Sequence, residues 1–236
     1  MALAPTPRML TSAEVRAALA PHARPDKAEG MRAYLKSELP CLGVRVPTAR
    51  AVAKALFASR PFTALPALER QVRALWDRAR YREERFVALN VLRLSPHRRL
   101  LTAKAAPLLE HLILTGAWWD LVDELATHVV ATALENDPAA MTKVVKRWAA
   151  SDALWLKRAA LVCQVVRGDD TDLELLAFAI EHAVDGQDFF LRKGIGWALR
   201  AVARRDPKAA RGLLSRWRGR LSPLSVREAR KGLGGT

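Results

Sequence analysis

Apolar residues recur at helical spacing along almost the whole chain, and the alternation that marks a strand is absent. Runs rich in Ala and Leu are punctuated by Pro, Gly and Asp, each run long enough for about three to five helical turns. The pattern predicts helices over 11–20, 26–38, 48–59, 64–79, 82–94, 97–114, 118–134, 138–150, 152–166, 171–184, 187–205, 207–217 and 223–232. Some open on cap signals: Thr11-Ser12-Ala13-Glu14 sets a hydroxyl ahead of a Glu, and Ser151-Asp152 and Asp170-Thr171 offer side-chain oxygens. The stretch from Leu39 to Pro47, with two prolines and Gly43, predicts an ordered loop. Tyr81-Arg82-Glu83-Glu84-Arg85 reads as a solvated helix start.

Short helices with short connections imply antiparallel pairs. Trp119, Trp155 and Trp197 recur at intervals of 36 and 42 residues, near the length of HEAT-type helix pairs, although self-similarity is weak. The expected architecture is all-α: an α-solenoid or superhelix of HEAT-like antiparallel helix pairs. It is read as one continuous domain, 1–236, with an extended, basic concave surface suited to duplex DNA.

Composition narrows the setting. Half the residues are apolar, enough for a core without covalent staples. Cys41 and Cys163 fall in no metal or redox spacing, which suggests a reducing, intracellular environment. Pro5, Pro7 and Glu14 interrupt anything resembling a signal peptide, and no apolar run is long enough to span a membrane. A soluble, cytoplasmic protein is expected, nucleoid-associated when bound to DNA. Thirty-nine Lys and Arg against 24 Asp and Glu give a net charge of +15, which points to a polyanionic partner. A generally basic composition is the alternative. The charge is uneven: residues 187–236 carry +10, while 105–142 hold six acids and no Lys or Arg.

Three helices carry candidate chemistry. From Trp118, the residues Trp118, Leu121, Val122, Leu125 and Val129 form a core stripe. Trp119 and Asp123 lie on another flank, above Ala126 and Val130. Alone, this pair fits a half-buried Trp beside an acid favoured by the helix dipole, or a carboxylate and ring set together for chemistry. In 187–205 the core stripe is Leu191, Ile195, Leu199 and Val202. Trp197 lies nearly opposite, among Lys193, Arg200 and Arg204. Cations for phosphate and a flat ring for sugar or base make a nucleic-acid surface; basic stems covering a neighbouring helix are the alternative. Gly194 and Gly196 bare this helix for close approach, at a cost in propensity. In 152–166, Arg158 sits among Leu154, Leu161, Val162 and Val165, with Lys157 and Gln164 assigned to the polar side. A guanidinium on an apolar face needs an anionic partner. Asp123 could supply it; a purely structural pairing with a neighbouring acid is the alternative.

The five histidines show no ligand spacing, and no Cys/His cluster, phosphate loop or nucleophile elbow is present. Neither metal nor cofactor is expected.

Taken together, the segments Met31-Arg32-Ala33-Tyr34-Leu35-Lys36, Leu42-Gly43-Val44, Leu75-Trp76-Asp77, Trp118 to Asp123, Trp148-Ala149-Ala150-Ser151-Asp152, Trp155 to Ala160, Phe189 to Arg200 and Pro223 to Glu228 resemble the AlkD-like DNA alkylation repair glycosylases, a HEAT-like repeat family. The likeness covers nearly the whole chain and rests on order and spacing, including 35 residues from Asp123 to Arg158 and 39 from Arg158 to Trp197. The resemblance implies that Asp123 is the catalytic carboxylate, that Trp119 and Trp197 flank the lesion's deoxyribose, that Arg158 is an essential support, and that Tyr34 lies at the DNA surface. It implies a monofunctional enzyme releasing cationic N3- and N7-alkylated purines, such as 7-methylguanine and 3-methyladenine, from duplex DNA. Metal and cofactor play no part, and the family works without flipping the base, unlike most glycosylases. Arg45 departs from the family pattern, which calls for a Gln reaching the minor groove. Lys193, Arg200 and Arg204 complete the expected DNA contacts.

The implied chemistry suits the residues. Alkylation at N3 or N7 makes the purine a good leaving group, so catalysis is needed mainly at the oxocarbenium-like sugar. A fixed carboxylate stabilises that charge and can orient or deprotonate water, and Trp faces favour cationic character. The leading expectation is a monomeric base-excision glycosylase. A catalytically silent HEAT-like DNA-binding protein and a protein-binding solenoid are the alternatives; the joint presence of Trp119, Asp123, Arg158 and Trp197 argues against both.

Overall fold

The computed structural model describes residues 7–234, and every regular element among them is helical. None of these helices is long and apolar enough to cross a membrane. The chain divides into two compact units, the first running to Leu108 and the second starting at Leu109.

The first unit contains α1 (Ser12–Leu19), α2 (Pro25–Leu35), α3 (Val46–Phe57), α4 (Leu65–Asp77), α5 (Arg82–Arg93) and the short α6 (Ser95–Arg98). The expected capping box opens α1: the Thr11 hydroxyl accepts from the Glu14 N–H at 3.2 Å, and the Glu14 carboxylate accepts from the Thr11 N–H at 2.9 Å. Proline occupies the first turn of α2, α3, α4 and α6, where its missing N–H costs nothing. Leu68, Val72, Leu75 and Trp76 make the fully buried stripe of α4.

Helix α5 is the centre of this unit, packed against α1, α3, α4 and α6. Its central position overturns the expectation of a solvated start at 81–85. Arg82, Glu83 and Glu84 are 5%, 2% and 0% exposed. Such groups are buried only when satisfied, and here they are. Glu83 accepts the N–H groups of Leu42 and Val44 at 3.0 Å. Glu84 accepts from the N–H groups of Arg80 and Tyr81 and from the Arg16 guanidinium. Arg82 donates to the Ser37 hydroxyl at 3.3 Å, and the Arg85 guanidinium lies 5.0 Å from the Trp76 ring centroid. The cluster pins the loop between α2 and α3. Gly43 in that loop has φ +79°, and a Cβ there would lie 2.2 Å from the Arg24 carbonyl oxygen, so no other residue fits without displacement.

The expected helix 97–114 is broken. Helix α6 ends at Arg98, and a 3₁₀ turn, Ala103–Ala105, leads into α7 (Ala106–Gly116). The Thr102 hydroxyl accepts from the Lys104 N–H at 3.3 Å, and Pro107 has no N–H with which to continue an earlier ladder.

The second unit continues through a helical run over 119–136: α8 (Trp119–Glu124), a π-helical turn (Leu125–Val130) and α9 (Ala131–Asn136). Then come α10 (Pro138–Ala150), α11 (Leu154–Val162), α12 (Leu173–Glu181), α13 (Phe189–Ala203), α14 (Pro207–Arg216) and α15 (Pro223–Arg230). Helix α11 packs against both α8 and α13, while α10 packs against α11 and α12. A repeated device secures the unit. The buried Trp148 indole donates to Glu110 at 2.7 Å, and the buried Trp217 indole donates to Glu181 at 2.6 Å.

Two expected caps lie elsewhere. Ser151 closes α10 by donating to the Trp148 carbonyl at 2.8 Å, and α11 starts after Ala153. Asp172, rather than Asp170 or Thr171, caps α12 by accepting from the Leu175 N–H at 2.9 Å. Gln164 is buried, not on a polar face; its amide exchanges two hydrogen bonds with the Asp172 main chain.

Candidate active site

Asp123 lies in the last turn of α8, where the helix changes to π geometry. The Thr127 hydroxyl donates to the Asp123 carbonyl at 2.7 Å, within this widened turn. π turns are often found at functional positions. Ala126 and Val130, expected beneath Trp119 and Asp123, are fully buried with Leu125 and Val129.

Arg158, from α11, reaches the Asp123 carboxylate as a fork. Its Nε donates to Oδ1 at 2.8 Å and its Nη2 to Oδ2 at 2.7 Å. The third donor, Nη1, is taken by the Phe190 carbonyl at 2.6 Å, in the first turn of α13. The guanidinium carbon lies 5.7 Å from the Phe190 ring centroid, and one turn further on, the bare Gly194 faces Nη1. Three helices thus hold one ion pair. The Arg158 side chain is 5% exposed and that of Asp123 16%, so the pair is largely desolvated, with Asp123 keeping the greater exposure. Burial pushes the Asp123 carboxyl above the usual aspartate range; the Arg158 hydrogen bonds and charge oppose this, while Asp120 and Glu124 reinforce it.

An aromatic brace stands beside the pair. Trp118, Trp155 and Phe190 touch one another, with ring centroids 5.0–5.9 Å apart. They stand at the starts of α8, α11 and α13, at intervals of 37 and 35 residues. Trp118 is half-buried, not a full core residue, and its buried indole N–H has no hydrogen-bond partner among the described residues.

Trp119 and Trp197 are both half-buried, on α8 and α13. Around Trp197 the cations differ in their engagements. Arg200 donates to Glu228 of α15 at 2.7 Å and is 23% exposed in its side chain. Lys193 is exposed, with its ammonium 5.9 Å from the Phe189 ring centroid, and Arg204 is exposed at the end of α13. The close approach permitted by Gly196 is that of α15: a Cβ there would lie 2.6 Å from Glu228 Cβ. Tyr34, 72% exposed near the end of α2, and Arg45, exposed at the N-cap of α3, belong to the first unit. Among the described residues, no group of three or more His, Cys, Asp or Glu is placed to hold a metal ion.

A family model described as "DNA alkylation repair enzyme" matches residues 15–233. The chain belongs to that family, and its role lies in the repair of alkylated DNA. A solved structure described as "Predicted DNA alkylation repair enzyme from Enterococcus faecalis" shares the fold with a TM-score of 0.79. It is 24% identical, and the match covers 91% of this chain and 98% of that one. No curated protein matches the chain.

Proposed function

We propose that this protein is a monofunctional DNA glycosylase that hydrolyses the N-glycosidic bond of positively charged N3- and N7-alkylpurines in duplex DNA. The observation that carries this reading is the largely desolvated Asp123–Arg158 fork: Asp123 shares α8 with Trp119, and Arg158 is tied through the Phe190 carbonyl to α13, which carries Trp197. A carboxylate has about four lone-pair sites. Two are used by Arg158, so Asp123, 16% exposed in its side chain, retains acceptor capacity for a sugar or a water molecule. In this account Asp123 stabilises the charge that develops at the anomeric carbon and accepts a proton from the attacking water. Arg158 fixes the carboxylate's direction. Trp119 and Trp197 supply ring faces beside the sugar, which favour cationic character. Tyr34, Arg45, Lys193, Arg200 and Arg204 contact DNA, Arg200 from a position braced by Glu228.

One observation favours a second reading, a silent DNA-binding member of the family: both Asp123 oxygens are engaged by Arg158, as in a structural ion pair. Asp123→Asn separates the two. The glycosylase reading expects release of 7-methylguanine from methylated duplex to be largely abolished while duplex binding persists. Absence of release by the unaltered protein supports the silent reading.

A further inference from the structure

The first unit carries a groove that this chemistry leaves unused. It is an open cavity of about 450 Å³ between α3 and α5, which pack side by side. One wall is a stripe of α3, on which Pro47, Arg50, Ala51 and Lys54 follow one another at helical spacing. The other wall presents Arg93, from the last turn of α5, with Leu94 beyond it. Arg50 and Lys54 are exposed; Arg93 is half-buried, and its Nη1 donates to the Asn90 side chain at 3.4 Å.

The lining combines two properties. It holds three cations and no carboxylate, and α3 contains no Asp or Glu anywhere along its length. The rest of the lining is mostly proline, alanine and leucine, with Asn90 and Ser95 as neutral polar residues. Cations from both walls beside a mostly apolar lining match a sugar–phosphate unit: guanidinium and ammonium groups for the phosphate oxygens, apolar carbon for the deoxyribose face.

We infer that the groove between α3 and α5 seats a backbone phosphate of duplex DNA and its sugar, held by Arg50, Lys54 and Arg93. The inference rests on the reading that the protein acts on duplex DNA. It adds a contact point in the first unit that bears on affinity and not on the chemical step. Such a contact carries no sequence information, so it strengthens lesion-free and damaged duplex alike.

The test reads binding alone, with no turnover. Fluorescence anisotropy measures affinity for an undamaged duplex over a series of salt concentrations, for the parent protein and for Arg50→Gln/Lys54→Gln/Arg93→Gln. Each phosphate contact contributes about 0.9 to the slope of log affinity against log salt. The triple variant is expected to lower the slope by about 1 and to weaken binding roughly tenfold at 0.1 M salt. Replacing Arg60, Arg70 and Arg78, exposed cations elsewhere in the first unit, by Gln is expected to change the slope less. Arg50→Gln and Lys54→Gln singly, both at exposed positions, keep the test open should the triple variant not fold. A steep parental slope left unchanged by the triple variant, or lowered equally by the control, overturns the inference while sparing the DNA reading. A parent protein that does not bind duplex overturns the DNA reading itself. Inorganic phosphate bound by the parent and lost in the triple variant, with the duplex slope unchanged, assigns the groove to small phosphate ligands and likewise overturns the inference.

Discussion

The Asp123 carboxyl is pulled in two directions. Burial and the charges of Asp120 and Glu124 favour its neutral form, while the Arg158 fork favours the carboxylate. The net shift is upwards, so the reactive carboxylate is populated only above a pH higher than the ordinary aspartate value of about 3.9. Single-turnover excision of 7-methylguanine should therefore fall with decreasing pH through a midpoint above that value; a midpoint at or below it contradicts the assignment. Arg158 carries a matching expectation for stability. Arg158→Met leaves a desolvated carboxylate without its cation and is expected to cost about 3–5 kcal/mol, measured by urea denaturation. Adding Asp123→Asn should recover part of that loss, because the uncompensated charge is then gone. A loss below about 1 kcal/mol would mean the pair behaves as a surface ion pair.

Elements depend on a few residues whose roles are set by what packs around them. The loop between α2 and α3 is held by Glu83 from inside and shaped by Gly43. Gly43→Ala forces a Cβ towards the Arg24 carbonyl and is expected to cost at least about 1–3 kcal/mol. Hydrogen exchange should show the Leu42 and Val44 amides losing protection; unchanged protection would show that the Glu83 contacts tolerate the strain. The helical spacing made most elements legible, because period and proline or glycine punctuation are local signals. What was not legible was non-local. Nothing near Arg82-Glu83-Glu84 announces that α5 is enclosed by four other helices, so a charge-dense start read as solvated. The π turn at 125–130 is likewise not announced by any composition signal. The brace of Trp118, Trp155 and Phe190 did leave a trace, aromatics at intervals of 37 and 35 residues. The need of Arg158 for an anion was legible in its apolar neighbours, and Asp123 is the partner it meets.

At the scale of the molecule, the charge of +15 is not simply a coat of free cations. In the C-terminal stretch, Arg200 and Lys231 share Glu228, and Arg220 is held by Glu181 and Asp185. Family membership fixes alkylation repair as the role. The proposal goes further by assigning bond cleavage to one carboxylate in an otherwise basic chain. The most direct measurement incubates purified parent protein and Asp123→Asn with duplex DNA containing 7-methylguanine. Free base is quantified by chromatography, and duplex affinity is measured on the same preparations. The account predicts rapid release by the parent, release reduced by at least about a hundredfold in the variant, and comparable affinity for both. Equal release by the two proteins would contradict it.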